Sequence, residues 1–227
     1  MMNAIVFGGN GEIGNAIVKN LKASGARVIG TSRSEQDEMI KIDPFGPAGL
    51  SELDNLGPFD TAIWAQGSNR NDQISNTDYD AFVKILQANL LFVTQTLKHL
   101  LDSSSLQNES RLCVVSSIWE TVVRPNKFSY TVSKAALGGL VRSVAVDLAP
   151  QGILINAVLP GVLDTPMTRN ILTLEQMDSL VLATGFGRLT NLGDVANAVG
   201  YLVSPLNTGI TGQSISVDLG YSNVHLV

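Results

Sequence analysis

Short, almost unbroken apolar runs alternate with segments whose apolar residues recur every three or four positions. This alternation leaves few folds open to the chain. "AIVFG", from Ala4, is followed by "EIGNAIVKNLKASG", in which Ile13, Ile17, Val18 and Leu21 share a helical face and Gly25 stops the pattern. "ARVIGTS", "FDTAIWAQG", "SRLCVVSS", "ILINAVLPG" and "QSISVDLG" repeat the strand signature. Between them lie three further helical patterns: "YDAFVKILQANLLFVTQTLKHLL" as one long helix, "YTVSKAALGGLVRSVAVDLAPQG" ending before Pro150 and Gly152, and "LGDVANAVGYLVS" with Asp194 in its first turn. Strands alternating with helices imply βαβ units and a parallel sheet. Strands apolar on both faces imply helices on both sides. The expected fold is α/β: a single doubly wound domain over residues 1–227, its mostly parallel sheet flanked by helices.

Two stretches stand outside the alternation. "LDSSSLQNES" (Leu101–Ser110) reads as a polar surface loop. Thr165–Arg188 follows a strand late in the chain, where it serves either as a substrate lid or as a plain surface insertion.

Composition narrows the partners. The net charge is −5, from 15 Lys+Arg against 20 Asp+Glu. A nucleic-acid backbone needs a basic face, so nucleic acid is not an expected partner; one small anion in a local pocket remains open. Cys113 is the only cysteine, which rules out an internal disulfide, and its apolar setting makes it a small core residue. No apolar run reaches membrane-spanning length, and the N-terminus shows no basic leader with a cleavage site. A cytoplasmic protein without a membrane partner is expected. His99 and His225 are far apart and lack a cluster of Cys or acids, so no metal site is expected; His99 reads as an exposed residue at a helix C-terminus.

The first strand runs into "FGGNGEIG" and then a helix, the context a dinucleotide loop requires. Gly8 would allow the tight turn, Gly11 the approach of a pyrophosphate, and Gly14 the packing of helix on strand. Free N–H groups at the helix start, around Asn10, Glu12 and Ile13, would face the anion. A plain strand–turn–helix fits the same letters. In dinucleotide folds an acid about twenty residues on favours a free ribose 2′-hydroxyl. Here the second strand ends in Ser32 and Arg33, and a guanidinium suits a 2′-phosphate. NADP is therefore expected ahead of NAD, unless Arg33 is an ordinary exposed arginine.

"FSYTVSKAA" puts Tyr130 and Lys134 four apart, on one helix face, with Ser117 thirteen residues before Tyr130 at a strand end. With these residues in view, the chain resembles the short-chain dehydrogenase/reductase family over nearly its whole length. The matches keep the family's order: glycine loop, Asp43 in "KIDP", Asn89 in "ANLLFV", Ser117 in "VVSS", Tyr130 and Lys134, "INAVLPGVLDTPM", and the tail "ITGQSISVDLGYS". The resemblance implies a Rossmann sheet, hydride transfer between a nicotinamide and a small carbonyl or secondary alcohol, and a homo-oligomer, tetramer or dimer. It implies catalytic roles for Ser117, Tyr130, Lys134 and Asn89, Asn89 anchoring a proton-refilling water chain. It assigns Asp43 and Ala65 to the cofactor, Gly67 to its adenosine side, and Pro160, Gly161, Val162 and Thr165 to the nicotinamide. Asn89 also fits a helix residue satisfied by neighbouring backbone, and Thr165 an N-cap before Pro166. An ordinary tyrosine has a pKa of about 10, so Lys134 is expected to pull Tyr130 down. Trp119 and Phe128 suggest an apolar substrate lining. A dihydropteridine-type reductase and a non-catalytic NADP-binding sensor are the alternatives; a sugar epimerase would need a larger C-terminal region.

The resemblance has departures. Phe7 and Glu12 replace a threonine and a glycine of the common loop, with Gly11 restoring a Gly-x-x-Gly-x-x-Gly spacing. Glu12 is expected to point its carboxylate away from the phosphates. "Asn-Asn-Ala-Gly" reads Trp64-Ala65-Gln66-Gly67, with Trp64 expected in packing, and Leu219 stands where the tail has a glycine.

Overall fold

Every core strand of the chain alternates its apolar side chains between two separate hydrophobic clusters. The computed structural model describes residues 1–46, 49–165, 168–169 and 173–223. Its strands are β1 (Asn3–Phe7), β2 (Arg27–Ser32), β3 (Ile40–Lys41), β4 (Phe59–Trp64), β5 (Leu106–Val115), β6 (Leu154–Pro160) and β7 (Ser214–Val217). They form one sheet in the order β3-β2-β1-β4-β5-β6-β7, and every pairing is parallel. Ile5, Phe7, Trp64, Leu112, Val114 and Ile155 enter one cluster; Ala4, Val6, Ile63, Cys113, Val115 and Val158 enter the other. Successive strand side chains point to opposite faces, so an all-apolar strand supplies both cores at once.

The helices complete the two layers. α1 (Glu12–Ala23) covers one face with Ile17, Val18 and Leu21, together with α6 (Leu192–Val203), which contributes Val195, Val199 and Leu202. The other face carries α2 (Tyr79–Leu86), α3 (Phe92–Asp102) and α4 (Phe128–Asp147), through Phe92, Leu97, Leu137 and Val141 among others. α5 (Leu174–Leu182) has none of its residues buried. The chain order switches direction between β1 and β4, so a crevice opens at the carboxyl ends of the central strands, where open α/β sheets bind ligands.

Four local features depart from the sequence expectations. The long helix is interrupted: α2 and α3 are joined by a π turn over Gln87–Leu91. The polar stretch before Ser110 is not a loop throughout, because β5 begins at Leu106. Leu106 pairs with Phe59 and Arg111 with Thr61, so the intervening polar residues bulge outward. The two-residue β3 has no pattern of its own, and His99 is not simply exposed, since its Nε2 lies 2.7 Å from Asp54 Oδ1. Trp64 packs as expected, stacked on Phe7 at 5.6 Å with its indole N–H on Thr96 Oγ1 at 2.8 Å. Leu219 adopts φ 55°, a left-handed conformation that accounts for a glycine being usual there. Cys113 is free and fully buried, which pushes its thiol up to about 12. Pro166 and His225, and part of Thr165–Arg188, lie outside the described residues.

Candidate active site

The glycine loop is held from both sides. Gly8 turns with φ 77°, and the N–H groups of Gly8 and Gly9 both donate to the Thr31 carbonyl, at 3.1 and 2.9 Å. A β-carbon on Gly8 would meet the Gln66 backbone nitrogen at 2.7 Å, and one on Gly14 would overlap the Gly8 carbonyl oxygen. The protein's own packing thus demands Gly8 and Gly14. Gly11 is different: a β-carbon there would touch only the Gly8 oxygen, at an ordinary 3.4 Å. Among the described residues nothing forbids a side chain at Gly11, so its bareness leaves room for a ligand.

The carboxyl ends of the strands bring Gly8, Asn10, Gly11, Ser32, Arg33, Asp43, Ala65 and Gly67 around one cleft, with Gln66 and Phe92. Ser32 is buried and accepts from the Ser34 N–H at 3.2 Å; Arg33 is exposed at the cleft wall. Asp43 Oδ1 caps the Phe45 N–H at 3.1 Å. Glu12, Ile13 and Gly14 do not line the cleft. Glu12 is exposed, Ile13 packs on the core and Gly14 is buried under Gly8, which leaves only their main chain for an anion. Pro160, Gly161, Val162 and Thr165 do not line that cleft; Pro160 ends β6 and the others follow it. The Gly161 N–H donates to Val217 at 3.0 Å, and Thr165 Oγ1 accepts from the Thr168 N–H at 3.3 Å, as the N-cap reading expects. The residues fit a dinucleotide. Among the described residues neither atom of the buried Gln66 amide, beside the glycine loop, has a hydrogen-bond partner, and a buried polar group needs one.

Beside the cleft, Tyr130 and Lys134 share a face of α4, and Ser117 caps the short helical turn Ile118–Glu120 that follows β5. Ser117 lies close enough to Tyr130 for its hydroxyl to favour the phenolate. The Lys134 ammonium, 97% shielded from solvent, donates to the Val115 carbonyl at 3.1 Å and lies 5.7 Å from the Tyr130 ring centroid. Asn89 stands in the π turn, as helical irregularities at functional sites often do. Its amide is fully engaged: Oδ1 accepts from the Ser68 N–H at 2.7 Å, while Nδ2 donates to the Ser68 carbonyl at 2.9 Å and the Ser133 hydroxyl at 2.8 Å. The side chain is a clamp between the loop after β4 and α4.

The electrostatics correct one expectation. Burial raises Tyr130 above the ordinary tyrosine value, and the Ser117 hydroxyl beside it only partly opposes this. Burial also brings Lys134 down to about 8, against the pull of Glu120. Desolvation is the largest effect on both groups in the protein by itself. Glu120 is held close by: Oε1 accepts from Ser214 Oγ at 2.6 Å, and a β-carbon on Gly138 would come within 2.5 Å of that oxygen.

Two further residues escaped the sequence reading. Lys127 reaches within 5.6 Å of the Tyr130 ring centroid and donates to Asn69 Oδ1 at 2.7 Å. Its spacing, three before Tyr130, was the available signal. Asp72 anchors the start of α4 through the Ser129 N–H at 2.9 Å and the Ser129 hydroxyl. No local pattern announces that contact across 57 residues. Among the described residues no group of three His, Cys, Asp or Glu side chains is placed to hold a metal, and no helix is long and apolar enough to cross a membrane.

A parallel doubly wound sheet with a glycine-loop cleft and a Ser–Tyr–Lys set beside it defines a dinucleotide-dependent oxidoreductase. Comparison with known proteins agrees. A family profile described as Enoyl-(Acyl carrier protein) reductase matches residues 51–222. The 3-oxoacyl-[acyl-carrier-protein] reductase FabG of Escherichia coli (strain K12) is 29% identical over 96% of both chains. A short-chain dehydrogenase/reductase from Serratia marcescens is 28% identical, covering 97% of this chain and 98% of its own, with a TM-score of 0.87. The structure described as "ElxO with NADP Bound" is 25% identical, covering 99% and 100%, with a TM-score of 0.86. The chain belongs to the short-chain dehydrogenase/reductase family, enzymes that act on carbonyl and alcohol groups with a nicotinamide dinucleotide.

Proposed function

We propose that the protein is an NADP-dependent reductase of a small-molecule carbonyl compound, running in reverse as a secondary alcohol dehydrogenase. The observation that carries this reading is Ser117 beside Tyr130, with the buried Lys134 ammonium 5.7 Å from the Tyr130 ring centroid on the same face of α4. When bound, the nicotinamide supplies the hydride that adds to the carbonyl carbon. Tyr130 passes its phenol proton to the substrate oxygen as negative charge builds there. Ser117 donates a hydrogen bond to that oxygen and favours the charge. Lys134 sits near enough to stabilise the phenolate left on Tyr130. Asn89 acts as a positioning residue, keeping the Gly67–Ser68 loop and Ser133 in register with the catalytic face of α4.

Cofactor selection rests on Arg33. It stands exposed at the cleft wall beside Ser32 and Ser34, with no acid at the end of β2, which suits a 2′-phosphate. The loop amides around Asn10, Gly11, Glu12 and Ile13 would take the pyrophosphate. Asp43, Ala65 and Gly67 would take the adenosine, and Pro160, Gly161, Val162 and Thr165 the nicotinamide end. Thr165–Arg188 would serve as the lid, its helix α5 unburied and presenting Leu174 and Leu182. Further copies of the chain are the expected macromolecular partner.

The test pairs a ketone panel with cofactor titrations. The wild-type enzyme should oxidise NADPH with at least one ketone, and Tyr130→Phe should abolish turnover while still binding NADPH. Tighter binding of NADH than of NADPH, or an Arg33→Ala variant with unchanged NADPH affinity, would remove the 2′-phosphate assignment.

A further inference from the structure

We propose that the carbonyl substrate carries an anionic group, a carboxylate or a phosphate, which Lys127 binds beside Tyr130 with Arg124 at the outer edge of the same site. The proposal rests on the oxidoreductase reading and narrows its substrate class.

Lys127 immediately precedes α4 and is only 4% exposed. Burying an ammonium is costly unless it meets a negative partner. Among the described residues, its hydrogen bond goes to the neutral Oδ1 of Asn69, at 2.7 Å. The neighbouring carboxylate, Asp72, is already engaged. It takes the Ser129 N–H at 2.9 Å, the Ser129 hydroxyl, and the Thr77 hydroxyl at 2.8 Å, and Arg70 Nε lies 3.5 Å away. Glu120, the other acid of this region, is turned to Ser214 and exerts its pull on Lys134. Arg124 adds a second cation, its guanidinium 5.6 Å from the centre of the Trp119 ring, two residues after Ser117.

The surroundings leave Lys127 short of negative charge. Burial and the repulsion of Arg124 together push its ammonium below the ordinary lysine value, and Asp72 restores only part. Among the described residues the buried Arg70 Nε itself has no hydrogen-bond partner. Lys127 and Arg70 thus share one committed carboxylate next to the proposed proton donor, and Arg124 adds a third cation, in a chain whose net charge is −5. An oxyanion reaching Lys127 would relieve both the desolvation and the repulsion. With Lys127 5.6 Å from the Tyr130 ring, a substrate whose oxygen meets Tyr130 would bring a nearby anionic group into its range.

The experiment compares keto acids, with the carboxylate one to four carbons from the carbonyl, against their methyl esters, and dihydroxyacetone phosphate against dihydroxyacetone. kcat/KM is measured for the wild type, Lys127→Met, Lys127→Arg and Arg124→Ala. At least one anionic substrate should beat its neutral partner by about tenfold or more, the worth of a charge-assisted hydrogen bond. Lys127→Met should bring that ratio toward one, mainly through KM; Lys127→Arg should keep part of it, and Arg124→Ala should lower it a few-fold. Equal loss for both members of a pair, or no anion preference anywhere in the series, overturns the proposal. The same keto acids and inorganic phosphate are titrated against tryptophan fluorescence. If no carbonyl is reduced but the anions still bind and Lys127→Met abolishes that binding, the oxidoreductase reading falls and the anion site stands. Binding insensitive to Lys127→Met overturns the anion site whatever the turnover.

Discussion

The Asn89 amide donates to the Ser133 hydroxyl at 2.8 Å, locking the π turn to α4 one residue before Lys134. The same side chain closes both hydrogen bonds of the Ser68 main chain. Asn89 is 1% exposed and Ser133 fully buried, so water cannot readily replace what is lost on truncation. Asn89→Ala should lower stability by about 1–3 kcal/mol, the cost of stranding buried polar groups. It should also reduce kcat, because the register between Gly67 and Lys134 loosens. Urea unfolding and steady-state kinetics check this together; full stability with full activity would show that the clamp is redundant.

The burial of Lys134 sets a pH dependence of stability. An unfolded lysine titrates at 10.5, the buried one at about 8. Between these values the unfolded chain holds more protons than the folded one, so stability rises with pH across that window. Below pH 8 the cost of the buried charge is present in full. Replacing Lys134 by Met removes the ionisable group and should stabilise the protein by roughly 3 kcal/mol at pH 7, at about 1.4 kcal/mol for each tenfold change in acidity. At pH 9.5 the advantage should shrink to about half. Tyr130 works in the opposite sense, since its raised pKa costs stability above pH 10, so the comparison stays below that. Denaturant unfolding at pH 7 and pH 9.5 decides, and an advantage equal at the two pH values would mean that Lys134 is not strained in the fold.

What the sequence disclosed and what it hid divide along physical lines. β1, β4, β5 and β6 were legible because their residues are apolar on both faces, and Ile5 and Val6 each find a core. The Tyr130–Lys134 face was legible because helix spacing alone sets it. β3 was not, since two residues carry no periodicity. The π turn was hidden because Gln87–Leu91 keeps apolar spacing through the irregularity, and Asn89 shows its purpose only when Ser68 and Ser133 arrive from elsewhere. The expected lowering of Tyr130 failed for a related reason. Residue spacing reveals that a lysine is near, but not that both groups are taken out of water. Lys127 and Asp72 belong to the same class, their roles created by contacts between the loop after β4 and the start of α4.

Gln66 separates cofactor recognition from fold stability. It occupies the position where the family's strand-end pattern has an alanine, and among the described residues neither of its buried amide atoms finds a partner at the cleft. An unsatisfied amide costs the free protein about 1–3 kcal/mol, whereas a bound dinucleotide, rich in hydroxyl and phosphate oxygens, offers it partners. Gln66→Leu keeps the bulk and removes the polar atoms. The variant should therefore melt at the same temperature as the wild type or higher, while binding NADPH about five- to tenfold more weakly, the worth of one hydrogen bond of about 1–1.5 kcal/mol. Thermal unfolding with and without NADPH reads both effects in one experiment: the free-protein midpoint rises or holds, and the shift on adding cofactor contracts. A midpoint that falls with the cofactor shift intact would mean that the amide serves the protein's own packing and that the cleft recognises its ligand without it.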